Sequence, residues 1–383
     1  MSFLRSSAPK CAVLALAALI LGCGPGDGSE EYVQGQEAYA HRDLKKAEKL
    51  FEESVALAPR DADRLLYLAR AELELGELEK AKAAIERAAA NADGESDIIL
   101  LKSQIAWHAK DYKAAADSFS AVANDSKLDA SVRAQGWAGL GVVQMTCDNH
   151  HLARIAFLRA LRLDRKNAAA WYHLGLLYRD GLDRNGNGYP EAALEQFEIF
   201  ARLEKVADPR VQKVQRRFIP ALKEQIAAAA AERPGVSKRN SAACATALAT
   251  ADAAMKKGNC KAARESYQKA LTADPLSYPA ALGLAKAWEK SDATKEGRQK
   301  AFENYKTACT LRPSAVSTFL AAGALAVNLG YTLQAIEIYS RAVAANPNSL
   351  DAIDGLIRAL RKSGGKDKIA NAYQAYRDSL RKR

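Results

Sequence analysis

The sequence contains few residues of the kinds that carry out chemistry. It has only five histidines, and none is spaced from a cysteine, a carboxylate or another histidine as a zinc or catalytic site requires. It also lacks a glycine-rich phosphate loop and a serine nucleophile elbow. We therefore expect a protein that is not an enzyme and that needs no cofactor. His150 and His151 are expected in a solvated turn between two helices, because adjacent side chains on a helix point apart.

Aromatic residues are also scarce, at 7% of the chain, whereas hydrophobic residues make up 49%. This balance is typical of a soluble helical protein rich in alanine and leucine. The formal net charge of +11 is spread along the whole sequence, and no zinc-finger, base-stacking or DNA-binding helix-turn-helix signature accompanies it. We therefore expect a solvated surface and no nucleic acid partner.

An apolar run near the beginning of the chain predicts the compartment. The run Cys11–Leu21 follows two basic residues, and it is too short to span a bilayer as a stable helix but has the length of a secretory signal. It ends in Ile20, Leu21, Gly22 and Cys23. This ending resembles the lipobox of bacterial lipoproteins, in which the cysteine receives the lipid.

The lipobox resemblance implies a signal peptide over residues 1–22, covalent lipid such as palmitate on Cys23, and a flexible tether over 23–30. By the same resemblance, Gly24 favours transfer to the outer membrane, with the protein facing the periplasm of a Gram-negative envelope. Two other interpretations stay open: ordinary cleavage nearby or a retained anchor helix. If the signal is misread altogether, the protein is a cytoplasmic scaffold, and acylation of Cys23 distinguishes these cases.

One residue pattern recurs at a fixed period. Trp137, Leu140 and Gly141 are followed 34 residues later by Trp171, Leu174 and Gly175. Four prolines also share one position of this frame, namely Pro59, Pro275, Pro313 and Pro347. The pattern resembles the tetratricopeptide repeat, a helix-turn-helix unit of this period. We expect Gly141 and Gly175 where the two helices of a unit approach most closely.

The repeat resemblance implies an all-α fold, a right-handed superhelical solenoid of stacked tetratricopeptide repeats with a concave groove. About five repeats are predicted over residues 28–207. A helical extension and linker follow over 208–243, where Pro220 should kink or split a helix. About four further repeats are predicted over 244–383.

A segment within the fifth repeat partly matches a calcium loop. Asp183, Asn185 and Asn187 have the spacing of the first half of an EF-hand loop. The second half does not match, because Leu194 occupies the twelfth position and Glu195 comes one residue late. An inserted turn explains the same residues, since Asn and Gly favour turns. A calcium-responsive periplasmic binding protein therefore stays an alternative function.

The tetratricopeptide resemblance implies a scaffold that binds protein partners in the groove formed by the first helices. In the repeat frame, the residues expected there are Trp107, Met145, Tyr172, Leu176 and Arg179. Exposed apolar and aromatic groups of this kind usually mark a binding surface. The alternative is that Trp107 and Tyr172 partly fill the core, since large aromatics pack readily between helices. Lipoproteins of this family support pilus, secretion, barrel-assembly and gliding-motility machinery, and we expect a function of that type.

Overall fold

The computed structural model describes residues 27–92, 95–182, 188–204, 208–232 and 235–381. All regular secondary structure in these ranges is helical. Signal residues 1–22 and Cys23 lie outside them. Ser29 begins the first helix, where the carboxylate of Asp27 accepts a hydrogen bond from its backbone N–H at 2.9 Å, and the tether over 23–30 stays a prediction. Among the described residues, no helix combines the length and hydrophobicity needed to cross a bilayer.

Pairs of antiparallel helices follow one another along the chain. The helices of the first five pairs are α1 (Ser29–Ala40), α2 (Leu44–Leu57), α3 (Ala62–Leu75), α4 (Leu78–Asn91), α5 (Ser96–His108), α6 (Tyr112–Asn124), α7 (Ala130–Thr146), α8 (His150–Leu163), α9 (Ala168–Asp180) and α10 (Pro190–Leu203). The contacts divide the chain into two compact units, Met1–His173 and Leu174–Arg383.

The second unit continues with an extension and four more helix pairs. The extension contains α11 (Pro209–Lys213) and α12 (Ile219–Ala231), and the pairs are α13 (Ser241–Lys256), α14 (Cys260–Ala273), α15 (Tyr278–Ser291), α16 (Lys295–Leu311), α17 (Val316–Leu329), α18 (Thr332–Ala345), α19 (Leu350–Lys362) and α20 (Asp367–Arg381). The all-α class and the stacked helix-turn-helix repeats are therefore confirmed. The predicted boundaries at 28–207, 208–243 and 244–383 stay a prediction.

Helix starts are fixed by side chains that accept hydrogen bonds from the first turn. The carboxylate of Asp61 accepts from the backbone N–H groups of Asp63 and Arg64 at 3.0 and 3.1 Å. Equivalent caps begin α2, α6, α14 and α19 at Asp43, Asp111, Asn259 and Ser349. Such caps satisfy backbone donors that have no partner inside the helix.

The turn inside each early repeat uses a left-handed residue at the same frame position. Arg42, Gly76 and Lys110 have φ values of 67°, 83° and 64°. Glycine adopts this conformation without steric cost, whereas arginine and lysine do so under strain. The repeat frame therefore imposes the turn geometry even where the residue type opposes it.

Glycines let the two helices of a repeat approach closely, as predicted. A Cβ atom on Gly141 would lie 2.5 Å from the ring of Phe157, and one on Gly175 would lie 2.7 Å from the ring of Phe197. The same pairing joins Gly35 to Phe51 and Gly323 to Tyr339. These distances are far below van der Waals contact, so each aromatic ring packs on bare backbone.

In the extension after the fifth repeat the predicted split at Pro220 is absent, whereas the predicted kink stays a prediction. A π-helical turn, Val214–Phe218, joins α11 to α12, and the helix continues through Pro220 rather than splitting. Proline has no N–H for the fourth carbonyl before it, and a widened turn accommodates the interrupted hydrogen-bond pattern. The π turn also places Phe218 against Phe197 of α10, with ring centroids 5.2 Å apart.

Candidate functional site

The first helices of successive repeats lie next to one another. In the first unit α1 contacts α3, α3 contacts α5 and α5 contacts α7. In the second unit α13 contacts α15, and α17 contacts α19. In the first unit α2, α4 and α6 each pack between two successive first helices, as α2 does with α1 and α3. We call the surface formed by the contacting first helices of a unit the first-helix face.

Polar contacts tie neighbouring first helices together in the first unit. Arg70 of α3 forms an ion pair with Asp97 of α5 at 3.2 Å. Trp107 of α5 donates from Nε1 to the hydroxyl oxygen of Thr146 of α7 at 3.1 Å. Exposed pairs of this kind add little stability, but they fix the spacing of the side chains along the face.

Similar contacts occur in the second unit. The hydroxyl groups of Tyr278 on α15 and Thr318 on α17 lie 2.8 Å apart. Lys362 of α19 donates from Nζ to the carbonyl oxygen of Val327 on α17 at 2.9 Å. The same arrangement of side-by-side first helices is therefore present on both sides of the division.

Of the predicted groove residues in the first unit, two are partly exposed and one is buried. Trp107 and Met145 are half-buried. Tyr172 is only 9% exposed, and its ring meets the edge of His173 at a centroid distance of 5.2 Å. Because large aromatic side chains pack readily between helices, Tyr172 serves the interior more than the surface. Of the two interpretations of Tyr172, its burial favours the one in which it fills the core.

The predicted groove residues in the second unit are half-buried. Leu176 keeps part of its side chain exposed. The guanidinium of Arg179 lies 4.5 Å from the ring centroid of Phe218 and also pairs with Asp180 at 2.6 Å. Its charge is thus already engaged by an aromatic face and a carboxylate. A partner that used Arg179 would have to share these contacts.

Three tyrosines on α1 and α3 form an aromatic cluster that the sequence interpretation missed. The ring of Tyr67 lies 5.5 Å from that of Tyr32 and 6.5 Å from that of Tyr39, both nearly edge-on. All three are half-buried. The hydroxyl of Tyr39 donates to Glu74 at 2.5 Å, and burial raises the pKa of the Tyr39 phenol. The sequence contains a signal for this cluster, because Tyr32 and Tyr67 lie about one repeat apart.

Two other expectations concern polar groups. His151 is 6% exposed within α8, so the solvated-turn interpretation is wrong for this residue, although His150 beside it is half-buried. It is buried because α8 begins at His150 and places the next residue on its inner face. The calcium-loop residues Asp183, Asn185 and Asn187 lie outside the described residues, so that hypothesis stays a prediction.

Comparison with known protein families agrees with the repeat architecture. Models of the tetratricopeptide repeat match residues 38–105 and 248–315. The chain therefore contains tetratricopeptide repeats in both stretches, and its fold is that of a protein-interaction scaffold. No curated protein matches the chain.

Solved structures with similar folds include repeat proteins from different organisms. The chain is similar to Pseudomonas aeruginosa PilF, with 14% identity over 66% of this chain and 95% of that one and a TM-score of 0.39. It is similar to MamA of Desulfovibrio magneticus RS-1, with 18% identity over 49% of this chain and 99% of that one and a TM-score of 0.36. The APC/C hetero-tetramer Cut9–Hcn1 matches at 16% identity over 93% of this chain and 80% of that one, with a TM-score of 0.37.

Proposed function

We propose that this protein is a non-catalytic scaffold lipoprotein that binds protein partners on its first-helix face and supports assembly of a cell-envelope complex. The observation that carries the proposal is the side-by-side packing of α1, α3, α5 and α7. It presents one long surface on which many side chains can contact a partner at once. A surface of this kind fits an extended or helical protein segment better than a small molecule.

The side chains on this face suit protein binding. Trp107 is half-buried and its indole N–H is already oriented by Thr146, so little conformational entropy is lost when a partner covers the ring. Met145 on the next first helix adds an adaptable apolar group. Half-exposed aromatic and apolar groups that are held in place are the usual centres of binding energy at interfaces.

The envelope location rests on the signal and lipobox pattern that ends at Cys23. A lipid on this residue would hold the first repeat close to the membrane, since only a few residues separate Cys23 from α1. Replacement Cys23→Ser is expected to abolish labelling by a palmitate analogue and to release the protein from outer membranes. Unchanged labelling and membrane fractionation of that variant would contradict the lipoprotein proposal.

Site-specific crosslinking in intact cells tests the binding face. Photo-reactive amino acids are placed at Gln104 and Met145 on the first-helix face, and at Lys113 and Asp117, which are exposed on α6. We expect one and the same adduct from the first two positions, identified by mass spectrometry, and none from the α6 positions. Equal yields of that adduct from α6 would show that partners bind elsewhere.

The crosslinked adduct also tests the proposed machinery. A partner from a pilus, secretion, barrel-assembly or gliding-motility complex would support the assembly function. A cytoplasmic protein as the main adduct would instead support a cytoplasmic scaffold.

A further inference from the structure

A cluster of carboxylates lies between the first and second repeats, away from the predicted groove residues. Glu48 and Glu52 are one turn apart on α2, and Glu72 lies on α3. One oxygen of each carboxylate lies within 4.8 Å of an oxygen of the other two. Like charges at this separation repel one another unless something compensates them.

The innermost member of this cluster has an oxygen atom with no partner. Glu72 is 4% exposed, and its Oε2 has no hydrogen-bond partner among the described residues. A buried carboxylate oxygen without a partner is costly. The site therefore holds a group that favours an added positive charge.

Two lysines compensate the cluster only in part. Lys80 lies 3.0 Å from Glu48 and 2.7 Å from Glu77, and Lys45 lies 3.2 Å from Glu48 and 2.6 Å from Glu77. With Glu52 and Glu72, four carboxylates face two ammonium groups. Carboxylates therefore outnumber ammonium groups here, although Lys80 also lies 4.0 Å from Glu52, and a cation would balance the excess negative charge.

The lysines do not block the site. The side chains of Lys45 and Lys80 are 68% and 55% exposed, so both can move into solvent. Lys80 can release Glu48 and keep its ion pair with Glu77. Glu52 is also 51% exposed and can turn towards a bound ion.

We infer that Glu48, Glu52 and Glu72 bind a divalent cation that prefers oxygen ligands, of which Ca²⁺ fits best. Ca²⁺ holds oxygen atoms at about 2.3–2.6 Å, so its opposite ligands stand about 4.6–5.2 Å apart. The three carboxylate oxygens already lie within 4.8 Å of one another, and water molecules complete the coordination. Mg²⁺ demands ligands at about 2.0–2.1 Å in a stricter octahedron and requires a larger contraction.

Such an ion would link two repeats. Glu48 and Glu52 belong to the second helix of the first repeat, and Glu72 to the first helix of the second repeat. A cation shared by α2 and α3 stabilises the junction between them, since binding to the folded state alone adds to stability. This junction is next to the predicted tether, so the cation would stiffen the end of the array closest to the proposed lipid anchor.

Equilibrium dialysis with radioactive calcium on the chelator-treated full chain tests the inference. We expect one saturable site per chain, with Mg²⁺ at equal concentration competing poorly, and K⁺ at matched ionic strength having no effect. Glu72→Gln is expected to abolish this binding and Glu52→Gln to weaken it at least tenfold. Glu86→Gln, which removes an exposed carboxylate from α4 of the same repeat, should bind as the wild type does.

A further variant separates this site from the predicted calcium loop. Asp183→Ala should leave the cation site intact, and loss of all binding in that variant alone would overturn the inference. The absence of saturable binding in the wild type would overturn it too, as would unchanged binding in Glu72→Gln. Thermal melting with and without Ca²⁺ gives a second readout, because the ion should raise the melting temperature of the wild type and Glu86→Gln but not that of Glu72→Gln.

Discussion

Replacement Gly141→Ala should destabilise α7 and α8, although alanine is the better helix former. The added Cβ would lie 2.5, 2.7 and 2.9 Å from three ring carbons of Phe157, whose side chain is 0% exposed. Contact normally begins near 3.5 Å, so the overlap approaches 1 Å. Overpacking of this kind costs about 1–3 kcal/mol. The higher helix propensity of alanine offsets about 1 kcal/mol, so we expect a net loss of up to about 2 kcal/mol.

A double-mutant cycle with Phe157→Leu isolates the contact. Leucine removes the ring that the new methyl group strikes, so the double variant should be more stable than the sum of the two single changes predicts, by about 1 kcal/mol or more. Because repeat arrays unfold in parts, the assay is hydrogen exchange of the amides of α7 and α8. If Gly141→Ala slowed this exchange, or if the two changes added without coupling, the packing account would be refuted.

Three other predictions follow from local geometry. Lys110→Gly should stabilise the protein by about 1 kcal/mol in urea unfolding, since glycine relieves the left-handed strain, whereas Lys113→Gly inside α6 should cost about 1 kcal/mol. In chelator, Glu72 should bind a proton more tightly in the folded than in the unfolded chain, so stability should fall as pH rises from about 4.5 to about 7. The loss of unfolding free energy is at most about 3 kcal/mol. Glu72→Gln should flatten this part of the stability–pH profile, and equal slopes in the wild type and the variant would contradict the prediction. Arg64→Met should speed hydrogen exchange at the start of α1, because buried Arg64 donates to the carbonyl oxygens of Asp27 at 2.5 Å and Ser54 at 3.2 Å; unchanged exchange would contradict this.

The repeat frame predicted most of the fold. The positions of Gly141 and Gly175, which are 34 residues apart, follow from a single physical requirement, close approach of two helices. Helix caps such as Asp61 follow equally local rules. Features that repeat, or that depend on neighbours in sequence, can therefore be predicted from the sequence alone.

Features that depend on contacts outside the repeat frame could not be predicted from the sequence. Arg179 stacks on Phe218, which lies in the π turn of the extension, where no repeat pattern applies. The burial of Tyr172 depends on how neighbouring helices pack around it. Sequence periodicity predicts the helix but not how much of each side chain is exposed. The burial of Glu72 beside Glu48 depends on how α2 packs against α3, which the repeat pattern does not give.

The central claim is that the first-helix face binds protein partners, and affinity for the crosslinked partner tests it most directly. The dissociation constant is measured for the wild type, for Trp107→Ala combined with Met145→Ala, and for the control Lys113→Ala on α6, with folding verified by circular dichroism. We predict at least tenfold weaker binding by the double variant, about 1.4 kcal/mol, and no change for the control. Unchanged affinity of a folded double variant would contradict the claim.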